Sequence, residues 1–326
     1  MRLALYLGVL TVAVLLAAGG IWFQSAGLIR ILLLSGLVLL SLALIVLALK
    51  RHRTDRRLPW IALLLVILLG ALWWSTIRPR GDRAWAPDVA HGLTAEIAGE
   101  TVTLHNVRNF EWRSETDFTE RWETWTLSLD ELDSVDLFTS NWGLAPISHT
   151  LLSFGFRDGR HLVFSAEVRR ERDEEFSEIG GFFKMFELVM IGAAEGDIIR
   201  LRTNIRREEV SLYPIRMNAE QRRALFLTFL ERANELAREP AFYQTITTNC
   251  TTVIFQLART VDPGLPFDWR IILSGYLPGY LYDLEAIPTD APLDEVERRA
   301  AISARGQAAG NAADFSARIR GDTRQP

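Results

Sequence analysis

The sequence predicts an α+β protein carried on an N-terminal three-helix transmembrane anchor. Three observations carry this. The first 77 residues are three apolar runs, beyond residue 80 strand-like alternation and hairpin turns recur, and a clear amphipathic helix covers residues 218–238. The chain has 326 residues, 49% of them apolar, enough for one or two domains with a full core. The net charge of −4 argues for neither a nucleic acid nor an acidic ligand.

The apolar runs span Leu3 to Phe23, Leu28 to Leu49 and Leu58 to Ile77. Each is about 20 residues, the length that crosses a hydrocarbon core as a helix. Trp60, Trp73 and Trp74 lie near the ends of the third, as suits a membrane interface. The first run is too long for a signal-peptide core, and two more spans follow it. The basic cluster Lys50 to Arg57, with Arg2, belongs in the cytoplasm; it outnumbers Arg78, Arg80 and Arg83. Three crossings then put the rest of the chain outside the cytoplasm. No span holds an acidic residue or a central charge pair, so the bundle reads as an anchor and not as a transport pathway. The predicted division is 1–79 anchor, 80–290 periplasmic domain and 291–326 Ala/Arg-rich tail, the last a short helix and then disordered chain.

Within the domain, residues 95–104 read as a hairpin around Gly99-Glu100, and Arg121 to Leu127 as an aromatic strand. Leu129 to Leu137 reads as an Asp-rich connection. His149 to Phe156 and His161 to Arg169 form a hairpin about Asp158-Gly159. A two-residue loop there sets His149 opposite Val168; a three-residue loop sets it opposite Glu167 or Arg169. Phe186 to Ala194 is helix or strand, and Asp197 to Arg202 and Val210 to Ile215 read as strands. Pro240 ends the helix of 218–238.

Cys250 is the only cysteine, so the chain forms no internal disulfide. Thr247, Thr248 and Asn249 are helix-start residues, which puts Cys250 in the first turn of a helix. The positive end of a helix favours thiolate over thiol, and its N–H groups suit an oxyanion. A buried structural cysteine is the alternative reading. A cysteine nucleophile needs a base, and His149 is the candidate. The base needs a third group, for which Glu167 is the candidate; a salt bridge to Arg169 or Arg170 is the other reading of that carboxylate. His52, His91 and His105 are weaker, and His161 lies at a strand start beyond the hairpin turn. No zinc-ligand spacing, phosphate-binding glycine loop or Gly-x-Ser-x-Gly elbow occurs, so no metal or cofactor is expected and a serine hydrolase is disfavoured.

Several motifs occur in order: Asn106-Val107-Arg108-Asn109-Phe110, Ser148-His149-Thr150, Ser165-Ala166-Glu167-Val168-Arg169, Asp197-Ile198-Ile199-Arg200-Leu201-Arg202, and Asn249-Cys250-Thr251-Thr252. Together, over about Trp85 to Leu257, they resemble the N-terminal periplasmic domain family named for the lipoprotein N-acyl transferase, Lnb. The resemblance implies a circularly permuted papain-like, NlpC-type fold with an antiparallel sheet packed on helices, in which the His strand precedes the Cys helix. It implies Cys250 as nucleophile and His149 as base. Some members are implied to move an acyl chain within bacterial lipoproteins. The expected function is a thiol acyltransferase or hydrolase at the bilayer, acting on a lipid-linked or lipoprotein substrate. A peptidoglycan amidase and a non-catalytic envelope-binding module are the alternatives.

Overall fold

The computed structural model describes residues 2–51 and 57–321. It comprises two units: Met1–Arg80 with Phe176–Phe186, and Gly81–Glu175 with Glu187–Pro326.

In the first unit, α1 (Arg2–Gln24), α2 (Gly27–Arg51) and α3 (Arg57–Thr76) are each long and apolar enough to cross a membrane. Of the basic cluster, residues 52–56, including His52, lie outside the described residues. Small side chains and Leu44 and Leu63 bring the three helices together around Tyr6. The insert 176–186, which the sequence reading leaves in the second domain, folds with the helix ends. Gln24 Nε2 donates to the carbonyls of Phe183 and Lys184, both at 2.8 Å, and Lys184 Nζ donates to that of Trp74 at 2.9 Å.

The second unit is built on one sheet. Its strands are β1 (Thr94–Ala98), β2 (Thr101–Arg108), β5 (Trp122–Ser128), β6 (Leu132–Asn141), β7 (His149–Phe156), β8 (His161–Arg169), β9 (Glu187–Ala194) and β10 (Glu209–Pro214). Between β2 and β5, β3 (Glu111–Trp112) and β4 (Phe118–Thr119) make a separate small ribbon. The main order is β1-β2-β9-β8-β7-β6-β10, with β5 also on β2. The sheet is mixed, not wholly antiparallel, because β2 meets β9 in parallel at Arg108 and Ala193.

Both faces are covered, which is why β6 to β9 carry near-continuous apolar runs. On one face, Phe154 and Phe164 pack against Phe226 and Phe229 of α5 (Ala219–Arg238), beside Val253 and Ile254 of α6 (Cys250–Val261). On the other, Leu151, Val163 and Ile191 meet Ile198 and Ile199 of α4 (Glu195–Arg200). A short α7 (Leu277–Asp283) precedes the C-terminal region.

Three expectations are corrected. Leu129 to Leu137 is not a connection: most of it is β6, where Val135 and Leu137 face the core and polar Asp136 and Ser140 are themselves buried. Asp197 to Arg202 is helical, continuing into a π-type turn over Leu201–Ile205. Its Ile-Ile pair packs from a short helix and not from a strand. The expected short helix is α8 (Leu293–Ala300), but the described residues after it, to 321, are not disordered: they form α9 (Ser303–Ala309) and α10 (Phe315–Arg320), with Ile302, Phe315 and Ile319 buried.

Candidate active site

Local rules place Cys250. Asn249 caps α6: its Oδ1 accepts from the Thr251 and Thr252 N–H groups at 3.0 and 2.8 Å, and Thr252 Oγ1 accepts from the Asn249 N–H at 2.8 Å. This reciprocal capping box fixes where the helix begins, and Cys250 is its first residue. The hydroxyls of Thr251 and Thr150 meet at 2.8 Å, pinning the helix start to the first residues of β7.

The hairpin turn places the partners. Phe156 N–H donates to the Arg160 carbonyl, and Gly159 takes φ +88°, so the loop has three residues, 157–159, with glycine in the left-handed position. Leu152 pairs with Phe164 and Phe154 with Leu162. That register, continued, sets His149 opposite Glu167, one of the alternatives the sequence leaves open. Ser165 and Glu167 share a face of β8, two residues apart. His149 Nε2 lies 2.7 Å from Ser165 Oγ, which donates to Glu167 Oε1 at 2.7 Å; Nε2 to Glu167 is 3.2 Å. Nε2 is so engaged, and the Cys250 thiol lies close enough to the imidazole for each group to shift the titration of the other.

The electrostatics follow from these contacts. Burial pulls the His149 pKa down and Arg202 adds to that, but the Glu167 carboxylate and Cys250 together prevail, and the result is about 9. Burial raises the Cys250 pKa, yet His149, the Thr150 N–H and the Thr251 hydroxyl together hold it below its ordinary value. Glu167 is driven well below the carboxylate range: burial resists, but the His149 and Arg202 charges prevail. Each charge thus favours the other: the imidazolium lowers the thiol pKa and the thiolate raises that of the imidazole. Cys250 remains partly exposed.

Sequence reasoning gave no role to Ser165, Arg202 or Glu208. Ser165 sits between imidazole and carboxylate; the sequence showed it only as part of the motif Ser165 to Arg169, at the parity of Glu167. Arg202 donates to Glu167 Oε1 and Glu208 Oε2 at 3.2 and 3.3 Å, and Glu208 accepts from the buried Ser140 hydroxyl. The strand assigned to 197–202 hid Arg202, since only the helix turns it toward β8.

The remaining motif residues do other work. Asp197, fully buried, accepts from Arg108 Nε and Nη2, the Phe110 N–H and Trp112 Nε1, at 2.7 to 3.0 Å. Asn106 takes φ +62° at a β-bulge. His91 stacks edge-on against Trp122, and His105 lies 3.5 Å from Glu96 on an exposed strand. His161 stands beyond the hairpin turn, close to Asp136 and Glu195, in a cluster with the spacing of metal ligands. That cluster already holds a cation: Arg320 Nη2 reaches Asp136 Oδ2 at 2.7 Å and Glu195 Oε1 at 2.5 Å.

Comparison with curated proteins and with solved structures finds no significant match. Residues 118–275, just under half of the chain, match the model of the Lnb N-terminal periplasmic domain. The match takes in His149, Glu167 and Cys250 and the loops that follow, and leaves out the Asn106 to Phe110 motif. It supports this family and, with three N-terminal helices able to cross a membrane, fits a membrane protein with a periplasmic domain.

Proposed function

We propose that the protein is a thiol acyltransferase or hydrolase of the bacterial inner membrane, working on the periplasmic side on a lipid-linked or lipoprotein substrate. The single observation behind this is the Cys250 thiol at a helix start, electrostatically coupled to the hydrogen-bonded chain His149–Ser165–Glu167. In this reading the Cys250 thiolate attacks an ester or amide carbonyl to form a thioester, and the imidazolium of His149 returns a proton to the leaving group. Water or an acceptor amine then attacks the thioester, with His149 as base. Glu167, through Ser165, holds the ring orientation and its charge. Thr251 and Thr252 N–H groups are taken by the cap, so the Cys250 N–H is the helix-start donor left for the oxyanion. The permuted papain-like fold belongs to the same reading and is supported by the strand-then-helix order of His149 and Cys250. Tethering to the bilayer favours a lipid-linked over a peptidoglycan substrate by raising local concentration.

The test uses the full chain in membranes with two thiol-reactive probes, one a lipid ester and one a muramyl-type peptide. Preferential labelling by the lipid ester, lost in Cys250→Ala, is expected. Preference for the peptide moves the assignment to a peptidoglycan amidase, and no labelling by either moves it to a binding module.

A further inference from the structure

Three loops frame the Cys250–His149 pair, and all three present large apolar side chains outward. Trp142 and Leu144 lie on the loop that leads into His149, and Ile246 on the loop that leads into Cys250. Phe267, Trp269 and Tyr276 lie on the loop after α6. These six residues are between 44 and 63% exposed. The first and third loops are joined to each other. Ser148 N–H donates to Ser274 Oγ at 2.9 Å, Ser274 Oγ donates to the Ser148 carbonyl at 2.6 Å, and Gly275 N–H donates to the Pro146 carbonyl at 3.0 Å. The rings of Trp269 and Tyr276 lie 5.4 Å apart, and Phe267 packs on Phe255 of α6.

The charge pattern is as distinctive as the apolar one. Residues 142–148 and 243–249 contain no charged side chain. Residues 263–276 contain two, Asp268 and Arg270, and these pair with each other at 2.9 Å. Elsewhere exposed surface is charged, as on α8, where Arg298 and Arg299 pair with Asp294, Glu295 and Asp290. A neutral rim of Trp, Tyr, Phe, Leu and Ile is the composition that settles at the boundary between headgroups and acyl chains. Because the chain also carries three helices able to cross a membrane, a bilayer surface is the apolar phase within its reach.

We propose that these three loops form a membrane-docking rim that dips into the outer leaflet, so that the candidate site opens toward lipid and not toward bulk water. The partner is the bilayer itself. The inference rests on the thiol reading for its meaning, since it gives a lipid-linked carbonyl a route to Cys250, but its test does not depend on that chemistry.

The full chain in a Cys250→Ser background is reconstituted in phosphatidylethanolamine–phosphatidylglycerol vesicles. Single cysteines are placed at Leu144→Cys, Phe267→Cys and Trp269→Cys, and at Asp158→Cys at the opposite end of β7. Each is labelled with an environment-sensitive fluorophore. Brominated acyl chains are expected to quench the rim positions and leave Asp158→Cys unaffected. Three rim positions are read separately, so one misfolded variant does not decide the outcome. Rim fluorophores that stay water-exposed overturn the proposal. Rim fluorophores shielded from both water and lipid also overturn it, and point to a protein partner. Failure of the thiol reading appears elsewhere, as slow alkylation of native Cys250, and leaves this quenching unchanged.

Discussion

At the scale of single residues, Glu167 sets the proton balance of the site. Burial opposes the charged ring, but the Glu167 charge, with Cys250, holds His149 protonated to about pH 9, although a free imidazole loses its proton near 6.5. Glu167→Gln removes that charge and leaves burial and Arg202 opposed by Cys250 without the carboxylate, so the alkaline limb of Cys250 reactivity moves below 9. A pH–rate profile of alkylation reads this directly. The same shift has a sign for stability. His149 holds its proton more tightly in the folded state, so its contribution is complete below about pH 6.5 and fades as pH rises through about 9. The thermal midpoint of the native chain falls over that interval, and the fall is smaller in His149→Ala. Asn249 acts on the thiol only through the helix start. Asn249→Ala costs about 1 kcal/mol in unfolding experiments and releases the Thr251 and Thr252 N–H groups.

At the scale of elements, the reach of sequence reasoning follows from how local the cause is. The cap at Asn249 and the glycine at 159 act over three or four residues, and the Cys250 helix and the β7–β8 hairpin were legible for that reason. The helix over 197–200 was not. Asp197 is buried there by bonds to Arg108, Phe110 and Trp112, some ninety residues upstream, and nothing within the segment announces them. The last two helices, α9 and α10, were missed for the same cause. Their composition suggests a tail, but Arg320 is drawn into the sheet by Asp136 and Glu195, and Glu195 is held ionised down to about pH 2. There burial opposes ionisation and the Arg320 charge prevails. Arg320→Ala strands two buried carboxylates and is expected to destabilise the protein by about 3–5 kcal/mol, read by chemical denaturation. Gly275 is bound by a close approach: a Cβ there would stand 2.0 Å from the Ala145 carbonyl oxygen. Gly275→Ala therefore separates the loops on either side of the site, and the alkylation rate of Cys250 reports the loss.

At the scale of the molecule, the strongest sequence signals were the three apolar helices, because length and composition alone mark them. The sheet order was beyond reach, since β2 meets β9, and β6 meets β10, across long stretches of chain. The insert 176–186 also escaped the sequence: its apolar residues read as part of the domain, while Gln24 and Trp74 hold it to the helices. The proposed topology has a simple consequence. A membrane-impermeant maleimide applied to intact spheroplasts labels Cys250, and a cysteine introduced at Lys50 reacts only after the membrane is opened. The reverse pattern would invert the protein.

The most direct test of the central claim is the rate of Cys250 alkylation by iodoacetamide in membranes across pH 4 to 10, in the native chain and in His149→Ala. An activated pair predicts fast alkylation well below the pH at which an ordinary thiol ionises, near 9, with that acid advantage lost in His149→Ala. A native profile that rises only near 9, and is unmoved by His149→Ala, would contradict the account.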